Sequence, residues 1–171
     1  LEDRCTPATL VLADGVLTIT GHDAPAGDHV IIWQSATTLF VEHGTKFQND
    51  YVTESFALVD LDRIEAHGNA GDDFIQNDSR VNAMVFGDAG NDSLRAGRGS
   101  DILDGGDGID WVQAGYGASV LMGGAGNDYL VSSFGPSIMF GGTGVDTFYL
   151  HFRTAMIFDL EPGERVVFFG S

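Results

Sequence analysis

The chain has 171 residues and a mass of 18.2 kDa, enough for one domain with a substantial core. It carries 25 acidic residues against 8 Lys and Arg, a formal charge of −17, which excludes a phosphate-binding surface and hence nucleic acid as a partner. The 43% hydrophobic content excludes a disordered acidic tail, no apolar run is long enough for membrane insertion, and the single cysteine, Cys5, excludes an intrachain disulfide.

The first 67 residues contain predicted strands but no tight repeat. Residues 1–8 begin without an initiator Met, and we expect a processed, flexible segment there. Residues 9–67 alternate apolar and polar residues, and Gly and Asp punctuate them. The predicted strands are VLTIT at 16–20, HVIIW at 29–33, TLFVEH at 38–43 and FALVDLDRIEAH at 56–67. We interpret the region as irregular β coils continuous with the structure formed by residues 68–149; a small β-sandwich is the alternative.

A nine-residue repeat runs through residues 68–149, with one extra residue near Val85. Its units are GNAGDDFIQ, NDSRVNAMVF, GDAGNDSLR, AGRGSDILD, GGDGIDWVQ, AGYGASVLM, GGAGNDYLV, SSFGPSIMF and GGTGVDTFY. The eighth position is apolar in every unit: Ile75, Val85, Leu94, Leu103, Val112, Leu121, Leu130, Met139 and Phe148. Each unit therefore predicts a turn followed by a short strand whose middle side chain points inward.

The turn half of the unit has the composition of a calcium site. Its glycines can adopt positive φ and bring backbone carbonyls close together. The Asp at position six adds a hard anionic oxygen, which suits Ca²⁺ better than a softer metal. Bound divalent cations would also offset the repulsion of a chain with net charge −17.

These units resemble the RTX nonapeptide GGxGxDxUx, in which U is a large apolar residue. The resemblance implies an all-β fold: a right-handed parallel β-roll, or β-solenoid, in which two units form one coil of 18 residues and Ca²⁺ stabilises the stacked turns. It also implies a secreted bacterial protein. A metal-free β-solenoid is the alternative.

Alternate units stack on the same side of such a roll, and the two columns of turns differ. The column starting at Gly68, Gly87, Gly105, Gly123 and Gly141 keeps its sixth-position carboxylates, Asp73, Asp92, Asp110, Asp128 and Asp146. The other column has Asn82, Asp101, Ser119 and Ser137 at that position and has mostly lost them. We therefore predict calcium on one side only, with about four ions in the four gaps between five turns.

In the family, each ion takes carbonyls two and four and the Asp from one turn, and carbonyls one and three and the Asp from the next. The first predicted site then comprises Asn69, Gly71, Asp73, Gly87, Ala89 and Asp92. The second comprises Asp88, Gly90, Asp92, Gly105, Asp107 and Asp110. The third comprises Gly106, Gly108, Asp110, Gly123, Ala125 and Asp128. The fourth comprises Gly124, Gly126, Asp128, Gly141, Thr143 and Asp146. Asn69 and Asp88 replace the second glycine, which weakens the first two sites, although both residue types tolerate left-handed geometry.

Several side chains are predicted to face outward. On the strands after the degenerate turns these are, at position seven, Ala83, Ile102, Val120 and Ile138, and at position nine, Phe86, Asp104, Met122 and Phe140. Met156 and Phe158 continue these two columns, and Ile157 between them continues the inward eighth position. Flanking segments cover this apolar face, or it is an interface for a homodimer or a partner protein. Arg98, Tyr116 and Phe134 stack in the degenerate turns. The other sheet presents Phe74, Ser93, Trp111, Tyr129 and Thr147, an ordinary aromatic ladder or a polysaccharide-binding strip.

Residues 150–171 are predicted to form the last coils and a C-terminal cap. The nine-residue frame persists to about Val167, and we expect Phe168 and Phe169 to fold over the last coil, because a repeat stack needs a cap.

No catalytic motif is present, so we expect no enzymatic activity: the five His residues are scattered, and there is no nucleophile elbow or P-loop. The leading hypothesis is a secreted or cell-surface calcium-binding scaffold or adhesion protein whose folding depends on Ca²⁺. The alternatives are an accessory or secretion module of a larger enzyme or toxin, and a polysaccharide-binding solenoid.

Overall fold

The computed structural model describes residues 8–22, 27–45, 51–151 and 155–169, and these residues are almost entirely β-structure. The strands are β1 (Thr9–Ala13), β2 (Val16–Thr20), β3 (Asp28–Gln34), β4 (Thr38–Thr45), β5 (Val52–Ala57), β6 (Arg63–His67), β7 (Phe74–Asn77), β8 (Asn82–Phe86), β9 (Ser93–Arg95), β10 (Asp101–Asp107), β11 (Trp111–Gln113), β12 (Ser119–Ala125), β13 (Tyr129–Val131), β14 (Ser137–Thr143), β15 (Thr147–His151), β16 (Ala155–Ile157) and β17 (Arg165–Phe169). A single 3₁₀ turn, Leu58–Asp60, is the one helical element in the described part of the chain. No helix there is long and apolar enough to cross a membrane.

The strands form two sheets, and from β6 onward the chain passes from one to the other at each turn. The first sheet has the order β1-β2-β6-β8-β10-β12-β14-β16, and the second has the order β17-β15-β13-β11-β9-β7-β3-β4-β5. Every pair from β6 onward is parallel. This arrangement is a β-solenoid of about six turns, and the predicted all-β β-roll is confirmed.

The register of the roll follows the 18-residue coil. Trp111 pairs with Tyr129, and Leu103 pairs with Leu121. Because side chains alternate between the faces of a strand, each eighth-position residue points between the two sheets. All nine are buried, at most 1% exposed. Burying a side chain of this size stabilises a fold by about 1.5–3 kcal/mol, so this continuous ladder is the core of the roll.

The extra residue near Val85 lies earlier in the chain than predicted, before β8 and not within it. Met84, not Ala83, pairs with Ile102 and occupies the outward column. Ala83 is 2% exposed, and its N–H donates to Asp101 Oδ1 at 2.8 Å, so Ala83 and not Asn82 is the neighbour of Asp101 in the stack. The turn before β8 therefore absorbs the insertion, because a strand that slipped by one residue would reverse its buried face.

The N-terminal region joins the same two sheets through β2, β6 and β3. β2 pairs in parallel with β6, and β3 pairs in parallel with β7. β1, β4 and β5 instead pair antiparallel, so they extend the sheets without forming the predicted irregular coils, and β1 and β5 are the edge strands. The single strand predicted at 56–67 is also wrong, because the 3₁₀ turn Leu58–Asp60 separates β5 from β6.

The C-terminal strand extends the second sheet. β17 pairs in parallel with β15, and its Phe169 ring stacks on Tyr149 at 5.5 Å and on His151 at 4.8 Å. Phe168 is 73% exposed. The prediction that both phenylalanines fold over the last coil is therefore wrong, since sheet pairing places them at the edge of the sheet.

Candidate metal centre

The turns that lead from β6, β8, β10, β12 and β14 into the second sheet each end in a buried Asp, and we call these five turns the acidic turns (68–73, 87–92, 105–110, 123–128 and 141–146). Each Asp immediately precedes a strand of the second sheet and lies two residues before the buried eighth position. Strand alternation therefore points its side chain inward. All five carboxylates are at most 2% exposed, and they form a single file along the roll.

Hydrogen bonds connect the file from turn to turn through one oxygen of each carboxylate. The N–H of Asp73 donates to Asp92 Oδ1 at 2.7 Å, and the N–H of Asp92 donates to Asp110 Oδ1 at 2.7 Å. The same bond links Asp110 to Asp128 at 2.9 Å and Asp128 to Asp146 at 2.8 Å. Each of these hydrogen bonds therefore joins the carboxylate of one acidic turn to the backbone of the turn before it.

The second oxygen of the carboxylate has no partner in four of these turns. The Oδ2 atoms of Asp92, Asp110, Asp128 and Asp146 are buried and accept no hydrogen bond. A Cβ added to Gly87 would overlap both Asp92 Oδ2 and the carbonyl oxygen of Gly105, and the same overlap recurs one coil later at Gly105. A carboxylate oxygen from one turn and a backbone carbonyl from the next therefore converge beside the first residue of the turn, where only glycine fits.

The predicted ligands at the second and fourth positions share an unusual backbone conformation. Gly106 and Gly108 have φ of 100° and 142°, and Asn69 and Asp88 have φ of 71°. In this left-handed region a non-glycine residue is strained, and Asn and Asp tolerate it best. Asn69 and Asp88 therefore preserve the shape of the turn where the repeat has lost its second glycine.

The carbonyls at positions two and three take part in hydrogen bonds between turns. The N–H of Ala89 donates to Asn69 O at 2.8 Å, and the N–H of Gly90 donates to Asp107 O at 2.9 Å. Equivalent bonds reach Asp88 O, Ala89 O, Ala125 O and Thr143 O. A carbonyl oxygen has two lone pairs, so each of these predicted ligands keeps one for a cation.

Burial changes the pKa values of the carboxyl groups in the file. It raises the pKa of Asp92 and of Asp128 to about 7 and that of Asp110 to about 6. An N–H from the preceding Asp lowers each pKa, and neighbouring carboxylates raise it again. Without a cation these side chains compete for protons near neutral pH, and cation binding would release those protons.

These donors fit a calcium ion. In the described residues no three His, Cys, Asp or Glu side chains converge on one point, so an ion here needs backbone carbonyls as well. All 21 predicted ligand residues lie in the five stacked acidic turns. The oxygen-only donor set, with one carboxylate from each of two turns, matches the preference of Ca²⁺. The number of ions and their ligands remain predictions.

The opposite turns, 96–100, 114–118 and 132–136, lack this arrangement, and we call them the second turns. Asp101, at the end of the first of them, is 2% exposed, and both its oxygens accept N–H groups, from Ala83 and Gly97 at 2.8 Å each. Ser119 and Ser137 occupy the same column. Burial raises the pKa of Asp101 to about 6, while its two N–H partners lower it.

The predicted outward stacks are present. Tyr116 and Phe134 lie 5.6 Å apart with nearly parallel rings, and the Arg98 guanidinium lies 5.7 Å from the Tyr116 ring. On the second sheet, Trp111 stacks on Tyr129 at 5.8 Å. Tyr149 was not predicted to belong to this ladder, but its ring stacks on Tyr129 at 6.4 Å and extends it.

Two features of the acidic turns were missed. At position five, a side-chain oxygen accepts a backbone N–H from the next turn. The N–H of Asn91 donates to Asp72 Oδ1 at 2.7 Å, and the N–H of Val145 donates to Asn127 Oδ1 at 2.8 Å. In the sequence, an Asp or Asn directly before the sixth-position Asp, as in Asp72-Asp73 and Asn127-Asp128, was the signal that could have predicted these bonds. The file also continues to Asp28, whose N–H donates to Asp73 Oδ1. Gly27 stands where the acidic turns have Asp, Asn, Ile or Val, so only Asp28 itself matches the ends of those turns.

Comparison with known proteins agrees with this geometry. The model of the RTX calcium-binding nonapeptide repeat (4 copies) matches residues 82–112, 104–137 and 122–150. Neither the curated proteins nor the solved structures contain a match. Residues 82–150 therefore match the RTX calcium-binding nonapeptide repeat.

Proposed function

We propose that this protein is a secreted, calcium-dependent β-roll that acts outside the cell as a structural or adhesion scaffold and has no catalytic activity. The observation that carries the proposal is the file of buried acidic side chains with unpartnered Oδ2 atoms at Asp92, Asp110, Asp128 and Asp146. A buried polar atom without a partner is costly, and a buried unpaired charge is more so. A cation between the turns would remove both costs.

The net charge supports the same conclusion. Four Ca²⁺ ions would change the formal charge from −17 to −17 + 8 = −9. Bound ions would also link each acidic turn to the next, so that ion binding and stacking of the coils become one equilibrium. We therefore propose that Ca²⁺ controls folding of the roll.

An extracellular location suits such sites. The RTX repeat family is generally one of secreted bacterial proteins. Extracellular calcium modules typically bind with dissociation constants of about 10⁻⁴–10⁻³ M. Calcium reaches these concentrations outside cells, so the protein would fold after export.

The test is a calcium titration of the full chain followed by far-UV circular dichroism, with Mg²⁺ as the matched control ion. We expect β-structure to appear cooperatively with Ca²⁺, to disappear after addition of a chelator, and to respond weakly to Mg²⁺, which resists the loss of its water ligands. An unchanged spectrum after exhaustive chelation would contradict the proposal.

Polysaccharide binding is the second candidate function, and the ladder of the second sheet favours it. Trp111 and Tyr129 are 42% and 38% exposed, and their rings are stacked with that of Tyr149 beside them. Exposed aromatic faces can stack on sugar rings. Glycan-array binding should be lost in a Trp111→Ala/Tyr129→Ala variant and kept in Tyr116→Ala, whose ring lies in the second turns. Absence of binding on a broad array would exclude this candidate.

A protein partner or a second copy is proposed at the outer face of the first sheet. Ile138, Met156 and Phe158 are 37%, 58% and 57% exposed there, and Phe158 stacks on Phe140 at 5.5 Å. A role as an accessory or secretion module of a larger enzyme or toxin would use the same roll, and a catalytic domain in the intact gene would favour that role.

A further inference from the structure

The file of acidic turns has another member outside the nonapeptide repeats. Residues 21–28 span eight residues, against the six of turn 68–73, and lie far from the family match at 82–150. No repeat frame includes them. The structure nevertheless places both ends of this segment on turn 68–73.

Two contacts, at Gly21 and at Asp28, reproduce the stacking of the repeats, and a third, at Gly27, brings the segment equally close to turn 68–73. A Cβ added to Gly21 would overlap Asp28 Oδ2 and lie 2.5 Å from the Gly68 carbonyl oxygen. The same pair of oxygens, a carboxylate Oδ2 and a carbonyl oxygen of the next turn, lies beside Gly87 and Gly105, and we call this arrangement the cradle. A Cβ added to Gly27, whose φ is 69°, would overlap the Asp72 carbonyl. The N–H of Asp28 donates to Asp73 Oδ1, continuing the hydrogen bonds of the file.

The carboxylate of Asp28 is buried and incompletely satisfied. It is 2% exposed, its Oδ2 accepts the His22 N–H at 2.5 Å, and its Oδ1 accepts no hydrogen bond. His22 Nδ1 lies 3.5 Å from that Oδ1. Two groups could therefore balance the charge: a protonated His22 ring, or a cation held between this segment and turn 68–73.

We propose that Asp28, the Gly68 carbonyl and Asp73 form a calcium site ahead of the repeats, which gives the file five gaps and not four. The repeated cradle favours a cation, since it brings the same oxygen types together beside Gly21 as beside Gly87. The site would anchor β3, and through it the antiparallel strands β4 and β5, to the roll. This inference rests on the proposed function, because it extends the same calcium-binding file.

The test counts bound Ca²⁺ by isothermal titration calorimetry and native mass spectrometry of the full chain. Asp28→Asn keeps an oxygen acceptor for the His22 N–H but removes the charge, and it should bind one equivalent fewer than the parent. Asp60→Asn, an equal change of charge at an exposed residue of the 3₁₀ turn, should bind as many as the parent.

Gly21→Ala provides the second variant, because it fills the cradle and leaves every carboxylate in place. It should also lose one equivalent, and circular dichroism at saturating Ca²⁺ should match that of the parent. An unchanged stoichiometry in Asp28→Asn or in a folded Gly21→Ala would overturn the inference and leave His22 as the balancing group. If the parent itself binds no Ca²⁺, the proposed function fails instead.

Discussion

The acidic turns and the second turns alternate along one chain and use the same backbone device. A Cβ on Gly108, in an acidic turn, would overlap the Gly90 carbonyl of the preceding coil. A Cβ on Gly117, in a second turn, would overlap the Gly99 carbonyl in the same way. Both columns therefore stack by direct contact of backbone with backbone.

The columns differ in their carboxylates. Asp110 is buried with an unpartnered Oδ2, whereas Asp101 has an N–H for each oxygen. Ser119 and Ser137 continue the second column without any charge. Two roles are therefore separate: glycine and the apolar ladder determine the shape of the coil, and the unsatisfied carboxylates determine where a cation is needed.

The largest expected effect tests the close contact between a glycine of one coil and a backbone carbonyl of the preceding coil, which both columns of turns share. Gly108→Ala and Gly117→Ala should each lower the free energy of unfolding by about 4 kcal/mol or more, because the new Cβ would force neighbouring coils apart. The measurement is urea denaturation at saturating Ca²⁺. Gly163→Ala is the control: its φ is 108°, but no atom lies within 4 Å of the added Cβ, so only the cost of its conformation remains. Tolerance of Gly117→Ala would show that close stacking matters on one side alone.

The next effect tests the difference between the columns. Asp110 belongs to the second and third predicted sites, so Asp110→Asn should bind two fewer Ca²⁺ ions. At Ca²⁺ concentrations about ten times the dissociation constant, losing two sites lowers the free energy of unfolding by about 3 kcal/mol. Asp107→Asn, an exposed charge in the same turn, should retain every ion because only its carbonyl is a predicted ligand. Equal stoichiometry in both variants would remove Asp110 from the ligands.

Much of the roll could be predicted because its signals are local and periodic. The apolar eighth position recurs every nine residues, and each such residue is buried. The position of the insertion was predicted wrongly, since the residue types around Val81 and Asn82 fit both a turn of the usual length and a turn with one extra residue. Only the pairing of Met84 with Ile102 determines the register.

The ends of the roll were harder to predict. Alternation of apolar and polar residues is the same in parallel and antiparallel strands, so the sequence of β3, β4 and β5 does not determine their direction. Phe168 and Phe169 suit either a cap or an edge strand. Asp28 was overlooked as a member of the file because its turn has two more residues than the repeat, although its environment beside Gly21 is that of the repeats.

The smallest expected effect concerns the carboxyl group of the second column. Burial raises the pKa of Asp101 to about 6 from 3.8. Between these values the folded chain holds a proton that the unfolded chain has lost, so the contribution of Asp101 to stability falls as pH rises and is constant above that window.

Asp101→Ser should abolish this contribution, and Ser119 and Ser137 show that serine fits the column. As pH rises from about 5 to about 7.5, the stability of the parent relative to Asp101→Ser should fall by about 1 kcal/mol. The comparison uses urea unfolding of both chains at saturating Ca²⁺, so that the pH dependence of the acidic turns is common to both and cancels. A difference that grew with pH would mean that the Ala83 and Gly97 N–H groups outweigh burial at Asp101, and that this side of the roll holds its carboxylate without any cation.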